Sequence, residues 1–219
     1  YESREESRLM PRIPIVVRLD GRSFSKFCKG MKKPFDDDFR EAMIEVTKQL
    51  VEETDAKIGY TQSDEISLIL HTDNIEGSTM FDGRVQKICS VFSGIASTKF
   101  LMEMLSRFPN KVSGVKLPHF DCRVFSVPSK VEAYNALLWR EQDCTKNSIT
   151  MAAQPYFSPN DLKHKSSEER KNMLLTKNVD WNNYTSAQKW GAYIQKKTVE
   201  VDLTEEQINK IPEDKRPKN

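Results

Sequence analysis

With 219 residues, a formal net charge of +2, and 37% hydrophobic against 30% charged residues, the chain has the make-up of a soluble globular protein long enough to bury a sizeable core. So small a charge argues against binding carried by bulk positive charge alone, and no apolar run approaches the roughly 20 residues that span a bilayer. Four widely spaced cysteines without a C-x-x-C pair, and three isolated histidines, argue against a zinc site, a disulfide framework and a Ser/His/Asp or Cys/His triad.

Reduced thiols in a cytoplasmic protein, with no membrane partner, are therefore expected. Because the first residue is Tyr1, an initiator segment is expected to precede it.

Ile13–Leu19 is a short β-branched run that Asp20-Gly21 stops, which reads as a buried strand ended by a turn. Asp36-Asp37-Asp38 then fits a helix start, with carboxylates near the positive dipole end and Phe39, Met43, Val46 and Leu50 recurring at helical spacing behind them. Two strands follow, Lys57–Thr61 and Glu65–His71, hinged at Gln62-Ser63-Asp64. Val85, Ile88, Phe92, Ala96 and Phe100 mark a long helix with one apolar face. Arg123–Val127 reads as a fourth strand and Val131–Glu141 as the helix after it.

That order is a βαββαβ pattern, an α+β sheet with helices packed on one face. A charged helix over Ser166–Leu175, a strand or hairpin within Gly191–Leu203 and a frayed end from Lys210 complete the reading. Residues 1–150 are expected to form the main domain, and residues 151–219 a helical and hairpin extension packed on it.

In such a sheet the first strand lies beside the hairpin made by the second and third. Asp20, closing the first strand, and Asp64, at the hairpin junction, therefore come to one end of adjacent strands. Two carboxylates so placed can bridge two Mg²⁺ ions about 3.5–4 Å apart, the arrangement that serves in-line phosphoryl transfer. Magnesium takes carboxylate and phosphate oxygens and keeps waters, so few protein ligands suffice. Neighbouring strand side chains point to opposite faces, which makes Asp64 the ligand and Glu65 its support. Either acidic motif alone would read as a turn. The pair gains weight from its surroundings, because Arg12 to Lys33 holds seven basic residues against Asp20 as the one acid.

Arg18-Leu-Asp-Gly-Arg-Ser-Phe24 together with Tyr60-Thr-Gln-Ser-Asp-Glu65 closely resembles the tRNA-histidine guanylyltransferase family, enzymes that add nucleotides to RNA in the 3′–5′ direction. Lys33-Pro34, Phe120-Asp-Cys-Arg-Val124, Pro128-Ser129 and Trp139–Cys144 extend the likeness in order, over about residues 12–150. The resemblance implies a polymerase- or cyclase-like palm in which Asp20, the Gly21 carbonyl and Asp64 hold two Mg²⁺ ions. It implies triphosphate contacts at Lys33, Ser63, Arg84, Lys87 and Arg123. Contacts to the RNA or its 5′ end fall on Arg18, Arg22, Arg140, Lys146 and Asn147. The implied substrates are tRNA with ATP, GTP or other nucleoside triphosphates, and the implied assembly is a homo-oligomer, a tetramer.

One departure narrows the branch. Guanylyltransferases proper carry a histidine and two asparagines after the Asp-Cys pair; here the chain reads Cys144-Thr-Lys-Asn-Ser-Ile149. Thr145 takes the histidine's place, Asn147 matches one asparagine, and Ser148 replaces the second. This resembles the "like-protein" branch, whose members repair 5′-truncated tRNAs by template-dependent addition. Two rivals remain: a nucleotide cyclase, whose Gly-Gly-Asp/Glu-Glu-Phe signature is missing here, and a non-catalytic RNA-binding palm.

Overall fold

Strand β1 (Ile15–Gly21) carries apolar residues on both sides, so it must be covered twice. Ile15, Val17 and Leu19 enter one core cluster, whereas Val16 enters another on the opposite face. The structure, a computed structural model, describes residues 4–54, 56–72, 79–112, 117–199, 210 and 212.

A single turn, α1 (Phe24–Phe27), follows β1, and α2 (Asp37–Thr54) opens at the aspartate cluster. Asp36 accepts the Phe39 and Lys32 N–H groups, the cap role its position suggested. β2 (Ile58–Gln62) and β3 (Glu65–Leu70) form the hairpin, and α3 (Val85–Arg107) is the long helix. A turn, α4 (Pro109–Val112), precedes β4 (Phe120–Ser126). α5 (Lys130–Ala153), α6 (Pro159–Leu162), α7 (Ser167–Leu175), α8 (Ser186–Trp190) and β5 (Ala192–Ile194) follow among the described residues.

The five strands form one sheet in the order β4-β1-β3-β2-β5, with every adjacent pair antiparallel. This is the α+β palm-like arrangement expected, with β1 beside the hairpin. The helices, however, do not all take one face. α2 and α3 bury Met43, Val46, Leu50, Phe92 and Phe100 against the first face. α5 covers the second with Ala133, Leu137 and Cys144, against Val16, Tyr60 and Ile69. The physical reason is the second apolar set of β1 to β3, which needs its own cover.

α5 also runs twelve residues past the expected Glu141, because Cys144, Ser148, Ile149 and Ala152 stay buried at helical spacing. Its last turns meet Leu162, Leu174 and Trp181 in a third cluster, where α7 begins with a capping box of Ser166 and Glu169. β5 pairs with β2 and realises part of the strand expected near residues 191–203. Residues 200–203, and the frayed end apart from 210 and 212, lie outside the described residues. By length and composition α3 could cross a membrane, contrary to the expectation from apolar runs; its Ile88, Phe92, Ala96, Phe100 and Met104 are instead buried in the core.

Beneath the end of β1, Phe24 stacks among Phe27, Phe39, Phe100 and Phe120, with ring centroids 5.0–6.4 Å away. Gly21 lies directly on this ring, and a Cβ there would overlap it. Gly21→Ala should therefore destabilise the protein by about 1–3 kcal/mol through overpacking. Urea unfolding would check this, and an unchanged midpoint would mean that Phe24 is free to move aside.

Candidate active site

The site forms where β1 ends against the β2–β3 hairpin. Ser63 and Asp64 are the two turn residues, Ser63 with a left-handed φ of 49°. The turn is docked onto β1 by the Gly21 N–H, which donates to the Asp64 carbonyl at 3.0 Å. One peptide contact thus ties the two acidic motifs together, forty-odd residues apart in sequence.

Burial pushes both carboxyls above their usual range. For Asp20, Asp121 and Glu65 add to the shift while Arg123 and Arg140 offset it. For Asp64, a backbone N–H opposes the shift and Asp20 adds to it. Asp64 in turn helps burial push the Cys28 thiol up to about 12. A half-buried carboxylate whose charge is disfavoured by burial and by a neighbouring acid suits a small hard cation shared with phosphate oxygens. Among the described residues no group of three or more His, Cys, Asp or Glu side chains is placed to hold a metal. The two oxygen donors that this junction brings near each other are Asp20 and Asp64, tied through the Gly21 N–H.

Glu65 follows the turn as the first residue of β3. It pairs across the sheet with Asp20, so it shares the α5 face with Asp20, Arg18 and Arg123. Arg140 of α5 grips both of its oxygens, at 2.6 and 2.5 Å, while Arg18 Nε lies 3.4 Å away. The same Arg140 holds Asp143 at 3.0 Å, and these acids raise its proton affinity. Arg18 and Arg140, both expected at the RNA, thus turn towards Glu65. Arg22 hydrogen-bonds His119, its N–H reaching the His119 carbonyl at 2.9 Å.

Lys33, Ser63 and Asn147 are brought together. They line one cavity of about 210 Å³ with Phe35, Met151 and Gln188. It adjoins the turn that carries Asp64 and is bordered by the segment after α1 and by α2, α5 and α8. Lys146, next to Asn147, is exposed on α5. Arg84 and Lys87 lie elsewhere. They begin α3, where Arg84 bridges to Arg8 and lies 3.7 Å from Glu6, and Lys87 covers the Phe81 ring at 5.1 Å. Phe81 lines a second cavity with Ile13 and Ile15, at the opposite end of β1 from Asp20.

Sequence reasoning missed Asp121, which stands directly opposite Asp20, and Gln188 of α8. Asp121 was within reach: starting the fourth strand at Phe120 instead of Arg123 puts it on the Asp20 face by alternation. Gln188 had no such signal.

The family model described as tRNAHis guanylyltransferase (Thg1) matches residues 1–128. An uncharacterised mimivirus protein, R259, is 30% identical over 92% of this chain and 76% of its own length. The tRNA(His) guanylyltransferase of Saccharomyces cerevisiae is 27% identical over 86% of this chain and 85% of its own. Among solved structures, a bacterial guanylyltransferase-like protein in complex with ATP superposes with a TM-score of 0.84 at 37% identity, covering 90% of this chain and 84% of that one. The chain belongs to the tRNAHis guanylyltransferase family of nucleotidyltransferases.

Proposed function

We propose that the protein is a 3′–5′ nucleotidyltransferase that repairs the 5′ end of tRNA by template-dependent addition, with ATP activating a 5′ monophosphate. The observation that carries this reading is the junction of β1 with the β2–β3 turn. It ties the end of the strand that carries Asp20 to the turn that carries Asp64, whose neighbour Ser63 lines a cavity with Lys33 and Asn147. Relatives support the substrates: one bacterial guanylyltransferase-like structure is a complex with ATP, another with GTP.

In this reading Lys33 and the Ser63 hydroxyl hold the triphosphate, and Asn147 of α5 meets the RNA 5′ end beside it. The reaction first joins AMP to the 5′ phosphate with loss of pyrophosphate. The 3′-hydroxyl of the incoming nucleotide then attacks that phosphate and AMP leaves. Asp20, Gly21 and Asp64 would hold two magnesium ions, which when bound acidify the attacking hydroxyl and neutralise phosphate charge. Asp64 stands at the turn where both substrates' phosphates must meet, and Arg123 beside Asp20 balances their charge. A tetramer working in the cytoplasm belongs to the same reading, and light scattering would check the assembly.

The deciding experiment supplies a tRNA lacking its first 5′ nucleotide, ATP, and each nucleoside triphosphate in turn. Addition of the complementary nucleotide alone, following the opposite base when that base is swapped, is the expected result. Guanosine added whatever the opposite base would instead assign the activity of guanylyltransferases proper.

A further inference from the structure

β4 places Asp121 directly opposite Asp20, while β3 places Glu65 opposite it on the other side. Three carboxylates therefore stand in a row on one face, across β4, β1 and β3. Their partners differ. Glu65 is gripped by Arg140 and is only 12% exposed. Asp121 is half-exposed, and its Oδ1 lies 3.2 Å from Arg123 Nη2. The same nitrogen is 3.8 Å from Asp20 Oδ2, so one guanidinium spans both acids.

The register explains why it sits there. Arg123 faces Arg18 directly across β1 and β4, and like charges so placed repel. Arg18 leans to Glu65 on the far side, leaving Arg123 to turn along its own strand to Asp121, two residues back on the same face. Asp121 is the nearer partner, at 3.2 Å, and Asp20 the farther, at 3.8 Å. Were Asp121 uncharged, Asp20 would be the remaining acid paired with Arg123 among the described residues, and the guanidinium could close on both its oxygens in the bidentate fork that guanidinium and carboxylate prefer. Those are the oxygens a divalent cation needs.

We propose that Asp121 is a positioning residue for the metal site: by holding Arg123 at the flank of Asp20, it keeps the Asp20 carboxylate available to a divalent cation. This rests on the two-metal reading given above. It assigns Asp121 no bond to substrate or metal; its effect passes through Arg123.

The test is Mn²⁺ binding to the full chain by electron paramagnetic resonance, without RNA or nucleotide, for the wild type, Asp20→Asn, Asp121→Asn, Arg123→Gln and the Asp121→Asn/Arg123→Gln pair. Thermal melts of each would confirm that it is folded. Asp20→Asn should remove a binding event present in the wild type. Asp121→Asn should weaken that event roughly three- to tenfold, the scale of a single nearby charge felt through an effective dielectric of about 20. Arg123→Gln should bind as well as the wild type or better. In that background, adding Asp121→Asn should change binding by about twofold or less, as expected for a half-exposed, screened charge. An undiminished loss in the Arg123→Gln background would overturn the proposal, because Asp121 would then act on the metal directly. No loss in Asp121→Asn would overturn it too. Identical binding by the wild type and Asp20→Asn would overturn the two-metal reading itself, and this inference with it.

Discussion

Asp64→Ala should lower nucleotide addition by about 10³-fold or more while leaving tRNA affinity close to that of the wild type. A carboxylate that holds a catalytic cation supplies several kcal/mol of transition-state stabilisation, and each 1.4 kcal/mol is about tenfold in rate. The RNA is expected to be held by basic side chains such as Arg22 and Lys146 and not by the Asp64 carboxylate, so its affinity should survive. Asp64→Asn sharpens the test. Burial and the neighbouring Asp20 both disfavour the Asp64 charge. Without divalent cation, the amide variant should therefore melt higher than the wild type, the stability–activity opposition expected of a functional group held in an unfavourable place. Added Mg²⁺ should then raise the wild-type melting temperature more than the variant's. If the variant melts lower and both respond alike to Mg²⁺, Asp64 is a structural turn residue and the catalytic assignment fails.

Arg140→Met should cost about 3 kcal/mol of stability, because it strands the Glu65 charge on a nearly covered sheet face. In a chain of this length that corresponds to roughly 6–12 °C in melting temperature. Glu65→Gln in the same background should recover much of the loss, since breaking a buried pair costs far more than removing both charges. The pair of variants also separates two roles for Glu65. Both of its oxygens are engaged by Arg140, which suits a group that fixes the hairpin against α5 and supports Asp64. Mn²⁺ affinity in Glu65→Gln should then fall much less than in Asp64→Asn. Equal losses would make Glu65 a ligand, with Arg140 displaced when the cation binds.

The two acidic motifs could be found in the chain because each rests on local rules. A β-branched run stopped by Asp20-Gly21, and a turn between two apolar runs at Ser63-Asp64, are set by alternation and turn chemistry. Given βαββαβ order, adjacency of the first strand and the hairpin brings Asp20 and Asp64 together without any coordinates. Lys33, Ser63 and Asn147 came from the family likeness, and they do share one cavity.

What the sequence by itself determined was this: element order, the helical faces of α2 and α3, the two carboxylates and the family. Tertiary structure alone decided the rest. It set the cross-strand register that aligns Asp121, Asp20 and Glu65, and the docking of α5 on the second face, which turns Arg140 onto Glu65. It also separated Arg84 and Lys87 from the carboxylates within this chain, by the length of α3 and the direction in which it crosses the sheet. The physical reason is range. Periodicity and turn preference act over a few neighbouring residues, whereas register, the choice of face and the partner of a charge depend on which distant segments pack against one another.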